Sequence, residues 1–442
     1  MAFREFVEPE LSRRSLLRGG TLLGVGAALG GWPVAAIAQT RDIAGWSNVA
    51  ALVDRYVEAR KVANAVATLG WGQQAATCVA KGNLAIGVDA PAGPDSLYRI
   101  YSMTKPITGM AVMALIDEGK LGLDQPLAEI LPKFAEMKVQ RTYDGSLTDL
   151  VPAARPITIR HLLTHTAGLG YSIIQKGPIQ EAYVAAGVIP GQVTKLPFGE
   201  IFGRGEPVRG LAAFADRLAE LPLVHQPGTR WSYSVALDLL GRVIEVAGGL
   251  PFDAFLTQRF FDPLGMDSTF FRVPASEVGR LTTNYGIVNA MPVPIDPARM
   301  SIYLDEPAFP FGGAGLVSSP RDYDRFLRML LGYGQLDGKR VMGEQAVRLG
   351  TSNLLPEGVG TDGTFAAGAG FGAGGRVGLG AAEGTYGWGG AAGTVAFVDL
   401  KRGLRATLMT QYMPADAYPI HAEFPAAVVK DLAEMAAVKK AA

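Results

Sequence analysis

A chain of 442 residues with 48% hydrophobic residues can bury a large core, either as one big domain or as two lobes. Lysine plus arginine and aspartate plus glutamate each number 41, which removes any electrostatic case for nucleic acid or an anionic membrane and leaves a small neutral partner as the better fit. The single cysteine, Cys78, excludes an intramolecular disulfide, and no CxxC or Cys/His cluster suggests a metal or other cofactor.

The chain opens on "LSRRSLLRGG", in which Arg13 and Arg14 precede an uncharged run from Gly19 to Thr40 that contains the small-residue signature Ala36-Ile37-Ala38. This resembles a twin-arginine signal peptide over 1–38, removed after Ala38, and predicts export to the periplasm or beyond. Gly20, Gly24, Gly26, Gly30, Gly31 and Pro33 make the run a poor lipid helix, so no membrane span is expected after cleavage. Cleavage takes four arginines and three glutamates with it and leaves the charge near zero.

Next in order, "WSNVAALVDRYVEARKVANAVATL" from Trp46 reads as a helix, with apolar residues three and four apart, and "GQQAATCVAKGNLAIG" reads as a strand. From Pro106 to about Glu306 the pattern is mostly helical. Gly- and Pro-rich loops such as "QKGPIQEAYVAAGVIPGQ" and "LPFGEIFGRGEPVRG" interrupt it, long irregular segments of a kind often found around binding sites. After Gly312 comes a helix, "SPRDYDRFLRMLLGYG", then alternating strands in "GFGAGGRVG", "GTVAFVDL" and "LRATLMTQY", and a last helix near Ala426 to Ala437. There is no internal repeat. Strands at both ends around a helical middle predict an α+β domain over 43–437, with one sheet drawn from 43–105 and 307–437 and a helical insertion over 106–306.

Within this pattern Ser102 and Lys105 stand three apart, where "YRIYSMTK" turns helical. On a helix these positions share a face, and the first turn offers free amides that favour an attacking alkoxide. An isolated SxxK pair reads as well as ordinary helix surface. Here Pro106, an early-helix residue, and the apolar face of Ile107, Met110, Ala111, Ala114 and Leu115, running to a stop at Gly119, favour a nucleophile set against a core.

Six stretches then align the chain with a family: "SMTKPITGMAVMALIDEGKLGLDQPL", "ITIRHLLTHTAGL", "PGTRWSYSVALDLLGRVIE", "FFDPLGMDSTFF", "GGAGLVSSPRDYDRFLRMLL" and "YGWGGAAGTVAFVD". They resemble the serine hydrolases related to class C β-lactamases and DD-peptidases, and most of all their esterase branch, the family VIII carboxylesterases. The resemblance implies an antiparallel sheet flanked by helices, an all-helical lobe and an active site between them. Tyr233 matches the tyrosine of the family's second motif, while Val235 stands where the asparagine would be. A phenolate beside an ammonium can take a serine proton, since the ammonium favours the charged phenolate; Lys105 acting as the base itself is the alternative. Trp388-Gly389-Gly390 stands where β-lactamases carry Lys-Thr-Gly, and by position the amide of Ala391 would join that of Ser102 as an oxyanion hole.

Other motifs carry less. His161 and His165 in "RHLLTH" have metal-ligand spacing on a helix but lack the glutamate of HExxH, and only His225 and His421 remain. "GFGAGG" matches GxGxxG with no helix after it, and no GxSxG elbow is present. The expectation is a secreted serine hydrolase that cleaves small carboxylic esters, with a peptidase or β-lactamase on the same machinery as the alternative. Intact Ser102, Lys105 and Tyr233 speak against a silent binding module.

Overall fold

The computed structural model describes residues 43–196 and 205–441. The expected signal peptide, with Arg13, Arg14 and the Ala38 cleavage point, lies outside the described residues, as does 197–204 of the second Gly- and Pro-rich loop.

Helix α1 (Ser47–Glu58) is followed by β1 (Asn64–Trp71) and β2 (Thr77–Gly82). The helix read from the sequence as far as Leu69 therefore ends early, and Asn64 to Trp71 is a strand buried at every position. A strand covered on both faces shows no alternation, so its apolar run mimics a buried helix. Arg60, in the left-handed region at φ 53°, marks the break.

Helix α2 (Thr104–Asp117) is buried without interruption from Thr104 to Leu115, which makes it a core helix and not a surface one with a single apolar face. Gly109 allows this: a Cβ there would stand 2.1 Å from the Ala373 carbonyl oxygen. The helical side continues with α3 (Ile159–Leu163), α4 (Pro178–Ala185), α5 (Leu211–Ala219) and α6 (Ala236–Gly248).

Two strands, β3 (Asn284–Val288) and β4 (Met291–Asp296), follow in a region expected to be helical. Pro292 and Pro294 hide the strand in the sequence, yet an edge strand tolerates proline because its outer amides need no partner. Helix α7 (Pro320–Leu331) leads to β5 (Gly370–Phe371), β6 (Arg376–Val377), β7 (Thr385–Gly389), β8 (Val395–Asp399), β9 (Leu404–Met409), β10 (Tyr412–Met413) and α8 (Ile420–Ala441).

As expected, one sheet is built from both ends of the chain. Its seven strands run in the order β5-β6-β7-β8-β9-β1-β2, every pair antiparallel, with Val66 opposite Met409 where the two ends of the chain meet. On one face Ala65, Ala67, Phe397 and Leu408 pack with Val49 and Val53 of α1 and Phe424 and Val428 of α8. On the other, Val66, Tyr386, Trp388 and Val398 join the core of α2 and α6. The β3–β4 hairpin pairs with β10, Tyr285 opposite Tyr412, so 284–296 attaches to the sheet side and the helical insertion ends before the expected 306. A short hairpin of Lys138–Gln140 with Leu150–Pro152 also makes the helical lobe less than all-helical.

A buried ion pair ties the β3–β4 hairpin to the strand that leads into Ser102. Arg99 Nε donates to Asp296 Oδ2 at 2.6 Å, Nη1 to the Thr282 carbonyl at 2.6 Å and Nη2 to Ser301 Oγ at 3.0 Å. Both charges are essentially unexposed, and such a pair survives burial only when its polar atoms are met in this way.

Candidate active site

Ser102 lies in the short 3-10 turn Tyr101–Met103 that runs into α2, one turn ahead of the helix itself. Tyr101 is held at φ 42°, a conformation that costs a bulky residue about 1–3 kcal/mol and persists only where the surroundings fix it. They do: its ring meets Tyr303 edge-on at 6.3 Å and its hydroxyl accepts from Asn284 Nδ2 at 3.1 Å. The β3 strand and the sheet side thus clamp the residue that precedes the serine.

Lys105 Nζ donates to Ser102 Oγ at 3.2 Å and to the Gly313 carbonyl at 2.7 Å, and it sits 4.6 Å from the centre of the Tyr233 ring. Asp238, one turn into α6, holds Gly313 by accepting its amide at 2.8 Å. Among the described residues no carboxylate pairs with Lys105, so its charge acts on the serine, the Gly313 carbonyl and the tyrosine ring. The Tyr233 hydroxyl donates to Ser102 Oγ at 2.9 Å and accepts from Trp388 Nε1 at 3.3 Å. The fold therefore brings Ser102, Lys105, Tyr233 and Trp388 from three separate segments into one hydrogen-bonded set.

His165 seats the tyrosine segment. Its backbone is left-handed at φ 55°, its carbonyl accepts the Ser232 amide at 2.9 Å, and its Nδ1 accepts the Ser234 amide at 3.3 Å. Its ring lies 4.7 Å from that of Tyr233. Burial, and then the nearby Lys105 charge, hold its imidazole well below the usual range, so it packs as a neutral ring. Helix α3 ends at Leu163, so His161 and His165 do not share the helical face that their spacing suggested; His161 closes a capping box with Thr158 instead. Among the described residues no group of three or more His, Cys, Asp or Glu side chains could hold a metal ion.

The strand β7 brings the third motif alongside. Trp388 faces Tyr233, while a Cβ on Gly389 would point to the other side, 3.3 Å from His421 Cε1. At Gly390 a Cβ would meet the Ile100 carbonyl oxygen at 2.3 Å, so only glycine lets this chain lie against the turn before Ser102. Ala391 follows directly and is half-buried.

Val235 is the site residue that the structure moves elsewhere. It caps the N-terminus of α6, its amide donating to the Gly170 carbonyl at 3.3 Å, and its side chain is 0% exposed in the core, so it presents nothing to a substrate. Conversely, the sequence did not single out Tyr171, Trp231, Phe365 or Phe371, whose rings enclose Tyr233 and Trp388 at 5.2–5.9 Å, with Trp231 stacked on Tyr233 at 6.1 Å. Trp231 lies within the matched stretch "PGTRWSYSVALDLLGRVIE", where it could have been noticed; Phe365 sits on an irregular Gly-rich loop that carries no signal.

Known proteins resemble this chain in sequence and in fold. The profile of the family described as Beta-lactamase matches residues 49–429. An uncharacterized protein of Mycobacterium tuberculosis is 39% identical over 276 residues, 62% of this chain and 63% of its own length, so the match spans just under two thirds of that relative. Esterase EstB of Burkholderia gladioli is 32% identical over 299 residues, 63% of this chain and 68% of EstB. Among solved structures, EstCE1, described as a hydrolase with promiscuous acyltransferase activity, superposes with a TM-score of 0.70 at 26% identity over 87% of this chain and 100% of its own.

Proposed function

The chain belongs to the β-lactamase family, and from that premise we propose that it is an exported serine esterase that cleaves small carboxylic esters through an acyl-enzyme on Ser102. The observation that carries this reading is the contact of one serine oxygen with both Lys105 Nζ and the Tyr233 hydroxyl. In acylation the Lys105–Tyr233 pair takes the Ser102 proton as Oγ attacks the ester carbonyl. The Trp388 indole N–H and the Lys105 ammonium both stabilise negative charge on Tyr233, and the amides of Ser102 and Ala391 are assigned to the oxyanion. The proton then passes to the leaving alcohol oxygen. Water repeats the sequence on the acyl-enzyme and frees the acid.

Esters are preferred over β-lactams and peptides because of what lines the site. Trp388 supplies no cation for a substrate carboxylate, and the buried Val235 supplies no amide partner. Aromatic rings take the place of both, and a site without those polar groups loses discrimination in favour of ligands that need them. EstB carries the name esterase, which supports the reading. Purified protein is expected to hydrolyse p-nitrophenyl butyrate with a kcat/KM at least roughly tenfold above that for a cephalosporin or a D-Ala-D-Ala peptide, a gap of about 1.4 kcal/mol in transition-state binding. Equal efficiency on either would replace the esterase by a β-lactamase or peptidase on the same residues.

A second reading uses the same intermediate: an alcohol in place of water would accept the acyl group. The aromatic surroundings of Tyr233 favour it, as does the acyltransferase activity in the description of EstCE1. Export rests on the arginine pair, the uncharged run that follows it and the Ala36-Ile37-Ala38 signature. Replacing Arg13 and Arg14 by lysine is expected to hold the full-length precursor in the cytoplasm, read by cell fractionation, whereas unchanged processing would point to a general secretory signal.

A further inference from the structure

The proton that Ser102 gives up must end on the leaving alcohol, so in acylation the alcohol oxygen arrives at the Tyr233 hydroxyl. What surrounds that hydroxyl therefore contacts the alcohol. On one side stands the Trp388 indole, pinned by its N–H to the Tyr233 oxygen at 3.3 Å. Beside it, the Phe365 ring stands perpendicular to Tyr233 at 5.2 Å and 5.9 Å from Trp388. Phe365 is only partly buried, although the next residue, Ala366, is fully buried, so the backbone is anchored while part of the ring stays accessible.

The wall is fixed. Arg376 of β6, 3% exposed, donates through Nη2 to the Phe365 carbonyl and sets its guanidinium 6.0 Å from the Trp388 ring, so one buried side chain holds both aromatics. Thr361 Oγ1 donates to the Ala369 carbonyl at 2.7 Å and Thr364 Oγ1 to the Thr361 carbonyl at 2.6 Å, which closes the loop on itself on either side of Phe365.

We propose that Phe365, with Trp388, forms the leaving-group subsite and selects esters of bulky apolar or aromatic alcohols over esters of small ones. The inference rests on the ester reading above and names the alcohol side of the substrate. A flat ring beside Tyr233 finds offset or edge-on partners there, and a methyl group finds none.

Benzyl acetate and methyl acetate test it, because they share one acyl-enzyme and release alcohols of similar basicity. Their kcat/KM ratio therefore reads acylation alone. The wild type is expected to favour benzyl acetate, and Phe365→Ala to lower the benzyl-to-methyl ratio about tenfold, the usual order for a lost apolar contact in a pocket. Phe365→Leu should lower it less, and the ratio of methyl phenylacetate to methyl acetate, which moves the ring to the acyl side, should not follow. An unmoved benzyl-to-methyl ratio in a variant with an intact thermal transition overturns the inference, as does an equal change in the acyl-side ratio. Should Phe365→Ala fail to fold, Phe365→Leu carries the same comparison. Turnover through Ser102 without this selectivity would overturn the subsite alone; no acetyl group on Ser102 from either ester would remove the ester reading and the subsite together.

Discussion

Ser102→Ala is expected to lower ester turnover by a factor on the order of 10⁶, the loss typical of deleting a covalent nucleophile, and to leave the fold intact. Both halves follow from the contacts. Among the described residues the hydroxyl meets Lys105 and Tyr233, and without it Lys105 Nζ keeps the Gly313 carbonyl while the Tyr233 hydroxyl keeps the Trp388 indole. Each of these partners keeps a second hydrogen bond, so the cost to stability should stay near that of one net hydrogen bond, about 1 kcal/mol. Steady-state kinetics and a thermal melt on the same preparation check it. Retained turnover would assign the reaction to another residue, and a lost transition would show that Ser102 supports the core.

Lys105→Ala and Tyr233→Phe should each reduce kcat by roughly 10²–10⁴, the range for a positioned proton transfer. The double variant should lose little more than the worse single one. Both groups touch the same serine oxygen, so both act on one proton, and effects of residues that work as a unit are far from additive. Fully additive losses in the four-way comparison would mean separate roles, for instance Lys105 in acylation and Tyr233 in deacylation. Lys105 is 0% exposed, and truncating it opens space beside the Gly313 carbonyl; Lys105→Met, which keeps the stem, separates lost charge from lost packing.

The candidate site stood out in the sequence because its pattern is local. Ser102 and Lys105 are three apart, and Tyr233 lies in a matched stretch, so their types and order survive in one dimension. The two-ended sheet was legible too, since β8 and β9 carry apolar runs between clear turns. What failed, failed for physical reasons. Strand β1 is covered on both faces and loses the alternation that marks a strand, so it read as a continuation of α1. Strand β4 carries two prolines that only an edge position permits, and edge position is a tertiary fact. Val235 occupies a motif position but caps α6 with its side chain turned into the core, so motif spacing gave its place and not its direction. Phe365 stands beside Tyr233 on a loop whose carbonyl at that residue is held by Arg376, eleven residues on. A loop of that composition states nothing about where its ring will stand.

An esterase of this kind must form an acyl-enzyme on Ser102 from an ester. Intact-mass measurement of the mature protein, quenched in acid within seconds of mixing with p-nitrophenyl butyrate, a cephalosporin or a D-Ala-D-Ala peptide, tests it most directly. The expected result is a butyryl adduct that maps to the peptide carrying Ser102, is absent in Ser102→Ala, and exceeds any adduct from the other two compounds. A dominant cephalosporin or peptide adduct on Ser102, or a butyryl group that persists in Ser102→Ala, would contradict it.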